Sequence, residues 1–190
     1  MDPRYNHEKL NETISDCFND IINEFNFNVK TNPKNSGVEL SNNKCIIKFG
    51  YDSGFVSGSF VDPIEKAERE KIVRKDGFPV GYPNYPVFSV WKFLYPNDKT
   101  HFNSPGNDLV SQTLACKQLI YEKLKNVLNG DFSWTAAYKK NDKRLSKKIE
   151  YMTNHWASDN PIRLKFNEGN PEWEKAFDEY KNYLDKLQQY

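Results

Sequence analysis

Histidines, cysteines, serine–glycine steps and one dense run of cations are the residues of this chain whose types carry chemistry. A metal centre needs ligands at short fixed spacings, yet His7, His101 and His155 lie far apart with no HExxH, CxxC or HxH around them. A zinc site would have to be assembled from unrelated segments, and none is expected. Nucleophilic hydrolysis has no better support, since Gly54-Phe-Val-Ser57-Gly58 carries its serine one place too late for G-x-S-x-G. Cys116 falls on the apolar side of a helical pattern, where burial raises a thiol pKa rather than activating it. Phosphate-loop and dinucleotide glycine patterns are absent. Glu39, Lys48 and Asp52 sit on neighbouring strands and have the residue types of a metal-dependent nuclease, but turn chemistry accounts for Asp52. The chain is therefore read as a non-enzyme, with no catalytic residue, metal or cofactor.

Two features point to binding instead. The segment Lys139-Lys140-Asn-Asp-Lys143-Arg144-Leu-Ser-Lys147-Lys148 holds six cations and one anion in ten residues. At helical spacing Lys140, Lys143, Arg144, Lys147 and Lys148 share a face, as phosphate contacts do, and Trp134 and Tyr138 stand upstream as bases' stacking platforms. The last helical segment is acidic (Glu172, Glu174, Asp178, Glu179, Asp185), so pairing within the chain or with a partner protein competes with nucleic acid. The second feature is the stretch 78–102, rich in proline and carrying Phe78, Tyr82, Tyr85, Phe88, Trp91, Phe93, Tyr95 and Phe102. It either wraps the sheet as core or presents Tyr82, Tyr85 and Trp91 as anchors for another protein, since Tyr and Trp dominate interface hot spots. Lys143, Arg144 and Lys147 are then the electrostatic complement of that contact. Protein binding ranks first and nucleic-acid binding second.

Composition agrees with a binding module of ordinary size. The 190 residues (22.3 kDa) fit a single domain over 1–190, in which 8–62 form a helix and sheet, 63–106 a charged and then proline/aromatic segment, and 107–190 a helical part. Apolar residues are only 37%, but 13 Phe, 11 Tyr and 4 Trp supply large buried surfaces, so the core is expected to be aromatic. A net charge of +1 provides no global field toward nucleic acid or an anionic membrane. The polar start, Met1 to His7, and the lack of a long apolar run argue for a soluble, cytoplasmic protein without membrane association. Cys17, Cys45 and Cys116 are odd in number, widely spaced and set in apolar patterns, as reduced core cysteines are.

The elements that must position these residues follow from periodicity. Leu10, Ile14, Cys17, Phe18, Ile21 and Ile22 define an amphipathic helix over 8–24. Alternation then predicts strands at 25–30, 38–40, 44–51 and 55–61, the last two joined at Asp52-Ser-Gly54. Asp62-Pro63 ends the sheet and can open a helix, so the charged stretch 64–75 reads as a short exposed helix or a mobile segment. Val87 to Tyr95 is one further element, a strand or a short helix bounded by prolines. The clearest helix spans 108–129, with Val110, Leu114, Tyr121, Leu124 and Leu128 as its stripe, widened by Leu109, Cys116, Ile120 and Val127, and with Gly130 beyond its end. A basic helix runs to about residue 153. Residues 156–169 read as a loop in which Ile162, Leu164 and Phe166 alternate as a short strand, and a last helix spans 171–189. The fold class is α+β: an N-terminal helix, a four-stranded antiparallel meander, then a mostly helical C-terminal half packed on the sheet.

In layout, a helix, an Asn-rich turn (Leu40-Ser-Asn-Asn-Lys-Cys-Ile-Ile-Lys-Phe49), the Tyr51-Asp-Ser-Gly-Phe55 hairpin, Phe60-Val-Asp-Pro63 and an aromatic segment, residues 8–95 resemble small bacterial immunity-type proteins of polymorphic toxin systems. That resemblance implies a non-catalytic inhibitor that binds and neutralises a partner protein, in that family a cognate toxin. It carries no diagnostic motif, and no site residue transfers from it.

Overall fold

The computed structural model describes residues 7–32, 37–52, 55–75, 77–78, 80–98 and 108–187; residues 33–36, Ser53, Gly54, His101 and Phe102 lie outside them. The chain is α+β, with its strands antiparallel and its second half mostly helical. The chain gathers into two compact units, residues 1–134 and 135–190. The physical reason is visible in the second unit, whose large apolar residues bury one another in a cluster of their own.

In the first unit the N-terminal helical run is two helices, α1 (His7–Cys17) and α2 (Asn19–Glu24), with hydrogen bonds continuing across Phe18. Leu10, Ile14, Phe18 and Ile21 are all buried, at helical spacing. The expected strand at 25–30 starts later because α2 closes with a Schellman motif. Asn26 takes a left-handed φ of 52°, and the N–H groups of Asn26 and Phe27 donate to Asn23 and Ile22 carbonyls. Asn tolerates that conformation better than other non-glycine residues. The sheet then runs β1 (Asn28–Asn32), β2 (Gly37–Ser41), β3 (Ile46–Asp52) and β4 (Phe55–Val61), in sequence order and all antiparallel.

A fifth strand, β5 (Tyr85–Pro86), pairs with β4 at Ser59 and Phe60 and extends the expected four. Between them lies α3 (Pro63–Glu70), capped by the Asp62 carboxylate, which accepts from Ile64 N–H at 2.9 Å. Of the element expected at 87–95, residues 87–94 are helical: α4 (Val87–Leu94) leads directly out of β5. Next come α5 (Leu109–Lys123), capped by Asp108 at Ser111, and the short α6 (Lys125–Leu128). Gly130, at φ 91°, closes α6 as expected, its N–H donating to Val127 and that of Asp131 to Asn126.

Register places Val38, Leu40, Ile47, Phe49 and Phe60 on one face, which α1 covers at β2 and α5 covers at β4. Phe18 meets Phe49 edge to face at 4.9 Å. The α5 stripe predicted by sequence is turned outward at its start. Val110, Leu114 and Tyr121 are exposed at 39–49%, while Gln112, Thr113, Leu119 and Ile120 are buried. Two polar residues go inside because both are satisfied: Thr113 Oγ1 donates to the Leu109 carbonyl, and Gln112 Oε1 accepts the Val56 N–H.

The second unit contains α7 (Thr135–His155), α8 (Pro161–Asn167) and α9 (Glu172–Leu187). The loop-and-strand reading of 156–169 is corrected here, because 161–167 is a helix. Asn160 caps it by accepting Ile162 N–H at 2.9 Å, Pro161 occupies its first turn, and Gly169 (φ 69°) ends it. Met152, Trp156, Trp173 and Phe177 form the core, with Trp156 edge to face on Phe177 at 5.4 Å and Phe166 on Trp173 at 5.1 Å. Among the described residues no helix is long and apolar enough to cross a membrane.

Candidate functional site

Of the three proposed aromatic anchors, two are core residues. Tyr85 is 1% exposed, packs edge to face on Trp134 at 5.2 Å, and donates its hydroxyl to Glu65 at 2.7 Å. Trp91 is 2% exposed, donates Nε1–H to Asp98 at 3.2 Å, and carries the Lys92 ammonium 4.1 Å from its ring centroid. Neither offers a ring to a partner: β5 directs Tyr85 onto the inner face of the sheet, and α4 turns Trp91 into the core. Tyr82 is half-buried. Its hydroxyl accepts from Lys48 Nζ at 2.5 Å, and its ring has the Lys48 and Lys66 ammoniums 4.6 and 5.4 Å from the centroid.

Two of the nuclease-like trio pair with each other. Glu39 and Lys48 are cross-strand partners, 3.9 Å apart as an ion pair on the outer sheet face. Asp52 is four residues further along β3, about 13 Å away at the usual rise per residue. Ser57 donates to the Gly50 carbonyl at 3.3 Å, and His155 Nδ1–H donates to the Tyr151 carbonyl at 3.0 Å on a ring stacked at 4.3 Å. Among the described residues no group of three or more His, Cys, Asp or Glu could hold a metal ion. The cysteines are free. Burial pushes the Cys45 thiol up, raises Cys116 to about 12, and raises Cys17 despite the nearby Lys117.

The basic helix is partly neutralised inside its own unit. Arg144 pairs with Glu174, and Lys148 lies 2.7 Å from Asp178 and 3.5 Å from Glu174. The Lys148 side chain is largely buried, 5.3 Å from the Phe177 ring centroid, so α9 covers that edge of α7. Lys140, Lys143 and Lys147 remain exposed and make no ion pair among the described residues. Tyr138 is half-buried, and Trp134 is buried at 8% with its Nε1–H on the Asp131 carbonyl, so Trp134 provides no stacking face.

The site that sequence reasoning did not single out lies at the edge of β4. Because β5 is only two residues long, the chain turns into α4 and leaves β4 residues 55–58 bordered by helices rather than by a strand. Between them runs a groove of about 360 Å³ whose walls include Val56, Val87, Ala115, Cys116 and Leu119. Gly58 makes the close approach of α5 possible, since a Cβ there would lie 3.0 Å from Cys116 Sγ and 3.3 Å from Val87. Two phenylalanines rim it: Phe55 is 68% exposed and Phe88 60%. No Asp, Glu, Lys, Arg or His lines it. The signal for Phe55 was present in the strand's parity, because it shares the outer face with Ser57 and Ser59 rather than the inner face with Phe60. No signal marked the groove itself.

These geometries stand without a precedent to lean on: no protein-family model, no curated protein and no solved structure matches the chain.

Proposed function

We propose that this chain is a non-catalytic protein-binding module that neutralises a partner protein by taking an apolar part of it into the β4–α4–α5 groove. The observation that carries the reading is the pair of exposed phenylalanines, Phe55 and Phe88, on the rim of an uncharged apolar groove. Large aromatics left in water at a concave apolar surface are characteristic of interaction sites. The raised thiol of Cys116 and the engaged Ser57 hydroxyl supply no activated nucleophile on its wall. The layout likeness of residues 8–95 to immunity-type inhibitors, in which the partner is a toxin, points the same way. A cytoplasmic setting suits the unpaired cysteines.

The test begins with capture of stoichiometric partners from the native host and identification by mass spectrometry. The recovered protein is then purified and titrated against the parent and against Phe55→Ser/Phe88→Ser. A binary complex weakened at least about tenfold by the double substitution, about 1.4 kcal/mol, supports the reading. A complex indifferent to both changes, or none at all together with turnover of a substrate, overturns it.

A further inference from the structure

At the end of the sheet opposite the groove, a second concavity of about 500 Å³ opens between the α2–β1 turn, the β2–β3 turn and the end of α6. Its volume lies within the roughly 300–1,000 Å³ of small-ligand sites. Its wall chemistry is different from that of the groove, being dominated by asparagine. Asn42 is spent on the frame. Its Oδ1 accepts the Lys44 and Cys45 N–H groups at 2.8 Å each, and its Nδ2 donates to the Phe25 carbonyl at 2.8 Å, tying the hairpin turn to the helix end. The Schellman closure of α2 holds the other side of the frame.

On that frame the carboxamides of Asn26, Asn28 and Asn43 are exposed and have no protein hydrogen-bond partner among the described residues. Each presents two N–H donors and two acceptor lone pairs in one plane, which match the donor-plus-acceptor character of a ring of hydroxyls. Charge narrows the ligand further. Lys125 and Glu24 neutralise each other at 2.7 Å, which leaves Lys44 as the cation on the wall without a carboxylate among the described residues. A dianion would find a single positive charge there, and an apolar ligand would strand three amides. The part-buried Phe25 ring adds an apolar patch for a C–H face.

We infer that the cleft formed by Asn26, Asn28, Asn43, Lys44 and Phe25 is a binding site for a neutral or singly anionic saccharide. The test is an NMR titration of the isotope-labelled full chain with glucose, galactose, mannose, N-acetylglucosamine, N-acetylneuraminic acid and, as the contrary probe, inorganic phosphate. At least one sugar is expected to move the amide resonances of residues 24–28 and 42–44 together and saturably. Asn26→Gly/Asn28→Ala/Asn43→Ala, in which glycine retains the left-handed φ, is expected to weaken that response about tenfold or more. The inference is overturned if no sugar on the panel moves those resonances, if phosphate alone does, or if the triple variant titrates as the parent does.

Discussion

Gln112 Oε1 accepts the backbone N–H of Val56 at 2.7 Å, so a side chain from α5 satisfies the edge of β4 where β5 has ended. The contact joins residues 56 apart in sequence and holds one wall of the apolar groove to the other. Gln112→Ala leaves that N–H without its partner and is expected to cost about 1–3 kcal/mol of stability. Urea unfolding measures the loss, and hydrogen exchange at Val56 should accelerate more than at Ile47 in the sheet interior.

Trp91 and Phe88 stack edge to face at 5.2 Å, yet they belong to different classes. Trp91→Ala empties a core position and is expected to destabilise by about 3–5 kcal/mol. Phe88→Ser removes an exposed ring and one aromatic contact, with an expected cost of under about 1.5 kcal/mol. Equal losses in paired unfolding curves would contradict the division between core and rim.

Alkaline pH should weaken the fold through its thiols. Burial raises Cys116 from 9.0 to about 12 and raises Cys45 as well, so the folded chain keeps protons that the unfolded chain releases. The sign follows from linkage. Stabilisation is complete below pH 9.0, the unfolded value, and is lost as pH rises toward about 12. The urea midpoint of the parent is expected to fall across that window more steeply than that of Cys116→Ala; parallel curves would rule out a contribution from this thiol.

Neutralising the acidic cover of α7 tests the nucleic-acid reading. Glu174→Gln/Asp178→Asn frees Arg144 and Lys148 beside the exposed Lys140, Lys143 and Lys147. The double variant is expected to bind single- and double-stranded oligonucleotides at low salt more tightly than the parent. On duplex DNA, log K should fall by roughly 0.9 per phosphate contact against log salt. Filter binding at two salt concentrations decides it, and an unchanged affinity would show that the basic face has no use for phosphates even when uncovered.

Local signals were sufficient for most elements. Gly130 beyond α6, Asp62-Pro63 before α3 and period-two apolarity in β2–β4 each act through backbone geometry or one buried face, which neighbouring residues alone specify. The α8 helix was legible too, in Asn160-Pro161 at its start and Gly169 after its end. The alternation of Ile162, Leu164 and Phe166 obscured it, because seven residues are too few for a period of two to be told from one of 3.6.

Which side of an element meets the core was decided by tertiary structure. Val110, Leu114 and Tyr121 form as good a stripe as Leu119 and Ile120. The choice between them depended on Gly58 admitting α5 and on Val56 offering Gln112 a partner, both from a strand more than fifty residues earlier. Tyr85 and Trp91 became core and Phe55 and Phe88 rim through placement: β5 lays Tyr85 on the inner face of the sheet, the parity of β4 leaves Phe55 on the outer one, and α4 turns Trp91 inward and Phe88 into water. Sequence by itself determined the order and type of most elements and an aromatic-rich composition. Only packing determined which aromatics water can reach, because exposure depends on what the remainder of the chain places over each ring.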